Sequence, residues 1–122
     1  MPKQSSAPQG HPFSAVDEVV FWAVPALIAR HEGARFVAGM GAARPCEPVD
    51  FQVVVRSLVR ANKLVARHVS TLFRFGQLGR PPDPGDGDEA RAVAWWEEAL
   101  DMLRSPLVTK GIVISEERRR GP

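Results

Sequence analysis

Five cationic side chains recur along the middle of the chain at spacings that place them on one side of a helix. Successive members are separated by four, three, four and seven residues, and at about 100° per residue these positions fall within about 60° of arc. We call this set the basic stripe, and its members are Arg56, Arg60, Lys63, Arg67 and Arg74. Arginine and lysine bind phosphate oxygens, and arginine does so through two parallel hydrogen bonds. The stripe therefore predicts contacts with phosphate groups along about 27 Å of helix.

The stripe brings like charges together, but this repulsion is small beside the burial that a helix gains on its apolar side. Neighbours such as Arg56 and Arg60 cost about 0.2–0.5 kcal/mol per pair in an isolated helix, or about 1 kcal/mol for three pairs. Burying a side chain such as Leu58 or Leu72 gains about 1.5–3 kcal/mol. The fold can therefore tolerate the stripe without a partner, as a charged face exposed to water.

Two kinds of anionic group can neutralise the stripe. The carboxylates of Glu97, Glu98 and Asp101, one helix further along the chain, can lie across it in the same subunit or in a neighbouring one. Alternatively, the stripe contacts the phosphates of nucleic acid, and such contacts position a protein without reading the base sequence. Aromatic residues are scarce on this side of the helix, so stacking on single strands is not favoured and duplex DNA is the expected form.

The remaining reactive side chains form no pattern that predicts catalysis. Glu97 and Asp101 stand one helical turn apart, but without a pocket such a pair is a solvated surface. Cys46, the only cysteine, has no histidine near it in the sequence to activate it. The histidines lack the spacing of a metal site; they are His11, His31 and His68. His68 falls on the apolar side of its helix, where a packed imidazole with one hydrogen bond is expected. No catalytic residue, metal or cofactor is predicted.

A pair of glycines follows a short apolar segment but does not complete a nucleotide-binding loop. Gly39 and Gly41 resemble the start of the loop that holds the phosphates of a dinucleotide. That loop needs a third glycine or alanine at the start of a helix, and Arg44 and Pro45 stand where the helix should run. The segment is expected to be a flexible connection.

The basic stripe requires a helix, and the segment from Pro48 to Phe75 has an apolar repeat that predicts one. Apolar residues recur there at alternating spacings of three and four, along one narrow seam. The seam consists of Phe51, Val54, Leu58, Ala61, Val65, His68, Leu72 and Phe75. Pro48 suits the first turn of this helix and Gly76 suits its end. A helix of about 40 Å is longer than one short neighbour can cover, so other helices or a second copy of the chain must share the seam.

Two further helices are predicted, one on each side of the long one in sequence. The first begins near Ser14 and ends near His31, and because it is apolar on every side it needs burial all round. The third runs from Glu89 to about Arg104 and should end before Pro106, since the residue that precedes a proline disfavours the helical conformation. The third helix carries both Trp residues of the C-terminal half, on a broad apolar face.

Together these elements predict an all-α fold, in one domain of three helices with the long helix, residues 48–75, at its centre. Residues 1–12 lack periodicity and are expected to form a disordered arm, residues 13–115 the helical domain and residues 116–122 a solvated tail. Residues 107–115 contain β-branched side chains and a glycine, and are predicted to form either a short strand or a packed tail. A chain of 122 residues with 44% hydrophobic and 25% charged residues is typical of one globular domain.

The composition also bears on where the chain works. No signal peptide is predicted, and the longest apolar run, residues 19–29, is far shorter than the roughly 20 residues that cross a bilayer. A membrane partner is therefore not expected. Cys46 has no second cysteine with which to form an intramolecular disulfide, which fits a reducing cytoplasm.

Two functions are consistent with these features. We expect a non-catalytic, self-associating accessory protein that binds duplex DNA through the basic stripe, of the kind used in DNA packaging or plasmid maintenance. The alternative is an adaptor that docks on a larger protein partner through the third helix. The residues assigned to self-association or docking are Phe51, Val54, Leu58, Val65, Leu72, Trp95 and Trp96.

Overall fold

Four helices make up the part of the chain that the computed structural model describes, residues 11–32 and 46–115. They are α1 (Val16–His31), α2 (Pro48–Arg60), α3 (Ala66–Leu78) and α4 (Ala90–Thr109). Helix α1 contacts each of the other three, and α4 also contacts α2 and α3. The predicted all-α class is therefore confirmed. Most of the predicted arm, the predicted tail and the glycine segment at residues 39–41 lie outside the described residues.

The prediction of one long helix is wrong, because the chain turns between α2 and α3. Helix α2 ends in a Schellman motif, in which the N–H of Asn62 donates to the carbonyl of Val59 (3.0 Å) and that of Lys63 to the carbonyl of Leu58 (2.8 Å). Asn62 has a left-handed backbone with φ 62°, and asparagine adopts this conformation more readily than most residues other than glycine. The apolar repeat continues across the turn because α2 and α3 direct their apolar sides to the same core.

Helix α3 begins after Val65 and runs past the predicted end at Gly76. The side chain of His68 accepts a hydrogen bond from the backbone N–H of Val65 through Nδ1 (3.1 Å), which satisfies an amide group at the start of the helix. Gly79, with φ 78°, is the residue that ends it. Gly76 is instead buried within α3 and faces α1.

Helix α4 also runs further than predicted, through Pro106 to Thr109. Proline lacks an N–H, but Pro106 lies in the last turns, and the helix tolerates the loss of one hydrogen bond there. The preference of the preceding residue for an extended conformation is therefore overruled by packing. Leu103 and Leu107, on either side of the proline, are both fully buried.

Of residues 107–115, which were predicted to be a strand or a packed tail, the first three belong to α4, and the rest form a packed tail rather than a strand. The chain turns at Gly111, with φ 78°, and Val113 then forms a single parallel bridge with Phe13. The N–H of Phe13 donates to the carbonyl of Ile112 (2.8 Å), and that of Ile114 donates to the carbonyl of Phe13 (3.1 Å). This bridge joins the residues that precede α1 to those that follow α4.

The core is centred on α1, and the seam of α2 and α3 packs into it. Val19, Val20, Ala23 and Val24 are fully buried. The burial all round that was predicted for α1 is not complete, because Pro25 is exposed and Phe21 and Trp22 are only partly buried. The seam residues that lie in this core are Phe51, Val54, Leu58, Leu72 and Phe75. The chain's own helices therefore share the seam.

Candidate functional site

The basic stripe is divided between two helices and the turn that joins them. Arg56 and Arg60 lie on α2, Lys63 lies in the turn, and Arg67 and Arg74 lie on α3. All five side chains are exposed. The straight row of cations expected of one continuous helix is therefore replaced by two pairs of arginines with a lysine between them.

None of the five stripe cations forms an ion pair with another described residue. The ion pairs in residues 11–32 and 46–115 are His68–Glu98, Arg80–Glu89 and Arg104–Asp101. Of the carboxylates expected to lie across the stripe, Glu98 and Asp101 thus have other partners, and Glu97 is exposed on α4. Within the described ranges, the chain's own carboxylates form no ion pair with the stripe, although Arg74 is close enough to Glu89 for its charge to act on that carboxylate.

Two of the stripe arginines line a cleft between α3 and the start of α4. The cleft has a volume of about 500 Å³. Arg67 and Arg74 lie on its α3 side, and Arg91 lines it from α4. Trp95, one turn after Arg91, also lines the cleft, and Asp88 contributes a carboxylate. Three guanidinium groups against one carboxylate give the cleft a positive potential.

Aromatic rings hold two of these guanidinium groups in place. The guanidinium carbon of Arg67 lies 5.7 Å from the centre of the Trp95 ring, and that of Arg74 lies 4.7 Å from the centre of the Phe75 ring. A cation over the face of a ring is attracted by about 0.5–1 kcal/mol at an exposed site. These contacts orient the guanidinium groups without neutralising them, because an aromatic ring carries no net charge.

Arg91 is a candidate site residue that sequence reasoning missed. It is the only cation among residues 83–101, and the seven carboxylates of that segment conceal it in the net charge. The signal that could have identified it is the spacing of four residues between Arg91 and Trp95, which places both side chains on one face of a helix.

His68 links α3 to α4 beside the cleft. Its Nδ1 accepts from the backbone N–H of Val65, so the ring proton is on Nε2, which donates to Oε1 of Glu98 (2.9 Å). The imidazole is packed, with its side chain 12% exposed, but it makes two hydrogen bonds instead of the predicted one. Since Glu98 lies one turn after Trp95, this link helps to hold Trp95 next to Arg67.

An inaccessible carboxylate fixes the loop between α3 and α4. Glu89 accepts two hydrogen bonds from the Arg80 guanidinium, each of 2.8 Å, and a third from the backbone N–H of Asp83 (2.8 Å). Its side chain is 8% exposed. The hydrogen bonds, that from Arg80 first, lower the pKa of Glu89 from its ordinary 4.5 to about 2, against the opposing effect of burial. We call this arrangement the Arg80–Glu89 clamp.

Removing the charge of Glu89 should destabilise the protein by an amount that depends on pH. Because folding lowers the pKa of Glu89, its ionised carboxylate stabilises the fold above about pH 4.5, and this contribution is lost as the pH falls towards about 2. We expect Glu89→Gln, which keeps the size of the side chain, to melt several degrees below the unmodified protein at neutral pH. The difference should shrink as the pH falls through that window, in thermal melts followed by circular dichroism.

The matched control for the clamp is Glu97→Gln, the same substitution at an exposed position of α4. It should leave the melting temperature unchanged at every pH. If the melting temperature of Glu89→Gln stayed below that of the unmodified protein by the same amount from neutral to acidic pH, the role of the ionised carboxylate would be contradicted.

Most of the residues predicted to form an interface are covered by the chain's own helices. The covered residues are Phe51, Val54, Leu58, Leu72 and Trp96. Trp96 stacks on Phe21, with ring centres 5.6 Å apart. Of the predicted set, Val65 is 44% exposed and Trp95 is half-buried, so these two are accessible. A partner could reach the covered side chains only if the core opened.

Cys46 lines a small cavity with Asp50 and Lys110, and not with Glu97 or Asp101. Cys46 is half-buried, and Glu97 and Asp101 are exposed on α4. Within these ranges, no three His, Cys, Asp or Glu side chains are arranged to hold a metal ion. The helices described are all too short or too polar to cross a membrane.

The chain matches no protein-family model, no curated protein and no solved structure. Its function is therefore inferred from the cleft and the basic stripe alone.

Proposed function

We propose that this chain is a non-catalytic accessory protein of the cytoplasm that binds nucleic acid through contacts with phosphates. The observation that carries the proposal is the convergence of Arg67, Arg74 and Arg91 on one cleft. No described carboxylate forms an ion pair with any of the three. Phosphate oxygens bind guanidinium groups through charge-assisted, bidentate hydrogen bonds.

The rest of the basic stripe extends this surface beyond the cleft. Arg56, Arg60 and Lys63 are exposed on α2 and in the turn that follows it. A small anion such as inorganic phosphate needs only the cleft, whereas a polymer of phosphates can contact both groups of cations at once. An extended polyanion thus accounts for more of the exposed charge than a small ligand does.

Titration of labelled duplex DNA with the protein tests the proposal. We expect fluorescence anisotropy to show binding whose affinity falls with salt at a logarithmic slope of about −5, the value for about six phosphate contacts. Arg67→Glu combined with Arg74→Glu should abolish measurable binding. Both side chains are exposed, so the thermal midpoint of this double variant should change little.

The matched control is Arg104→Glu combined with Arg30→Glu, which changes the net charge by the same amount elsewhere. Arg104 comes nine residues after Trp95 on α4, which places it about 180° around the helix. Arg30 lies in the last turn of α1. The control should keep the affinity of the unmodified protein. The proposal would be contradicted if both double variants lost the same affinity for DNA, or if the unmodified protein did not bind DNA at low salt.

Self-association remains part of the proposal, but it needs a surface other than the predicted seam. Val49, Val53 and Val59 are 40%, 53% and 41% exposed on α2, and they offer apolar area close to Arg56 and Arg60. An oligomer formed there would multiply the number of phosphate contacts. The alternative of an adaptor that docks through α4 keeps only Trp95 of its two Trp residues, since Trp96 is buried.

A further inference from the structure

The cleft between α3 and α4 carries two kinds of surface side by side. Its volume of about 500 Å³ is within the range of pockets that hold small ligands. Arg67, Arg74 and Arg91 supply positive charge, and Trp95 supplies an aromatic ring. These are the surfaces that recognise the phosphate and the base of a nucleotide. We infer that the cleft takes an unpaired nucleotide, with its phosphate against the arginines and its base against Trp95.

The phosphate side of the cleft consists of three guanidinium groups and a hydroxyl. Arg67 and Arg74 lie two turns apart on one face of α3, about 10 Å along its axis, and Arg91 lines the cleft from α4. Ser70 lies on the same face of α3 and is exposed, so its hydroxyl is a further donor. The carboxylate of Asp88 opposes an anion there, but the three cations outweigh it.

The base side of the cleft is the indole of Trp95. This side chain is half-buried and packs against the edge of the core, while it also lines the cleft. The guanidinium carbon of Arg67 lies 5.7 Å from the centre of its ring. A base that stacks on the ring takes the place of this guanidinium, and Arg67 can then bond the phosphate of the same nucleotide. Stacking of a base on an aromatic ring is stronger than a cation over an exposed ring, so the exchange favours the base.

A paired base cannot make this contact without leaving the duplex. Both faces of a base in a duplex are covered by its neighbours, and taking it out of the stack costs free energy. The bases of a single strand unstack readily and bind to aromatic rings. The inference rests on the proposed function, which makes nucleic acid the ligand. It adds that the nucleic acid is single-stranded. It departs from the expectation of duplex DNA because that expectation depended on a scarcity of aromatic residues near the stripe.

The test compares one labelled DNA in two forms, oligo-deoxythymidine alone and the same strand annealed to oligo-deoxyadenosine. The full chain is titrated into each at one salt concentration, and binding is followed by fluorescence anisotropy. A duplex has the higher density of phosphate charge, so electrostatic attraction alone favours the duplex. We expect the unmodified protein to bind the single strand about tenfold more tightly. Trp95→Leu should remove this preference and Trp95→Phe should keep most of it.

Two results would overturn the inference and leave the proposed function standing. One is equal or weaker binding of the single strand by the unmodified protein, with the duplex still bound. The other is a preference for single strands that persists in Trp95→Leu. If neither DNA binds, the proposed function itself fails. If Trp95→Leu does not fold, tryptophan fluorescence decides: oligo-deoxythymidine should quench the unmodified protein more than Trp95→Phe, and equal quenching would overturn the inference.

Discussion

Trp96→Ala should lower the free energy of unfolding by about 3–5 kcal/mol. The Trp96 side chain is buried between Phe21 of α1 and Phe75 of α3, with ring centres 5.6 and 6.3 Å from its own. The indole thus joins α4 to two neighbouring helices, and its removal leaves a cavity that they cannot fill completely. Small domains have a total stability of about 5–15 kcal/mol. The variant should therefore lose a large share of its stability.

Denaturant titration followed by circular dichroism measures this loss, and Trp95→Ala is the matched control. It is the same substitution at the next position of α4, applied to a half-buried side chain, and should cost about half as much. A loss below about 1 kcal/mol for Trp96→Ala would show that α4 does not pack through this residue. The loss of a protein partner on Trp96→Ala would report unfolding rather than the removal of a docking residue.

The buried faces of this fold could be predicted from the sequence, but one turn between helices could not. A repeat of three and four residues identifies which side of a segment is buried. The repeat does not detect a turn when the helices on both sides of it direct their apolar faces to one core, as α2 and α3 do. Asn62 was the local signal, because asparagine tolerates the left-handed conformation that ends α2. The end of α1 at His31, by contrast, agrees with its prediction.

The site could be predicted only in part, for a related reason. That Arg67 and Arg74 lie on the same side of a helix follows from their spacing of seven residues. Their proximity to Arg91 and Trp95 depends on how α4 lies against α3. That arrangement is fixed by contacts between side chains far apart in sequence, such as the hydrogen bond of His68 across 30 residues to α4. No periodicity within a single helix contains this information.

Gly76→Leu should lower the free energy of unfolding by about 3 kcal/mol, because α1 and α3 meet at this glycine. A Cβ atom at position 76 would lie 2.8 Å from Cβ and from Cγ2 of Val24, and 3.1 Å from Cγ1 of Val20. Val24 is fully buried, and its β-branched side chain has one strongly preferred rotamer in a helix, so it cannot turn aside. The two helices would have to move apart to accept a longer side chain.

The smaller substitution Gly76→Ala tests the same contact through the sign of its effect. At an exposed position inside a helix, alanine in place of glycine stabilises the fold by about 1 kcal/mol. Overpacking of a buried position costs about 1–3 kcal/mol of stability. We expect a net loss of about 1 kcal/mol in denaturant titrations, between the values for the unmodified protein and for Gly76→Leu. Gly87→Ala is the control, since a Cβ there would meet no atom within 4 Å, and it should change stability little. A gain in stability for Gly76→Ala would show that α1 and α3 stand further apart than described, since only their close contact reverses the preference of a helix for alanine.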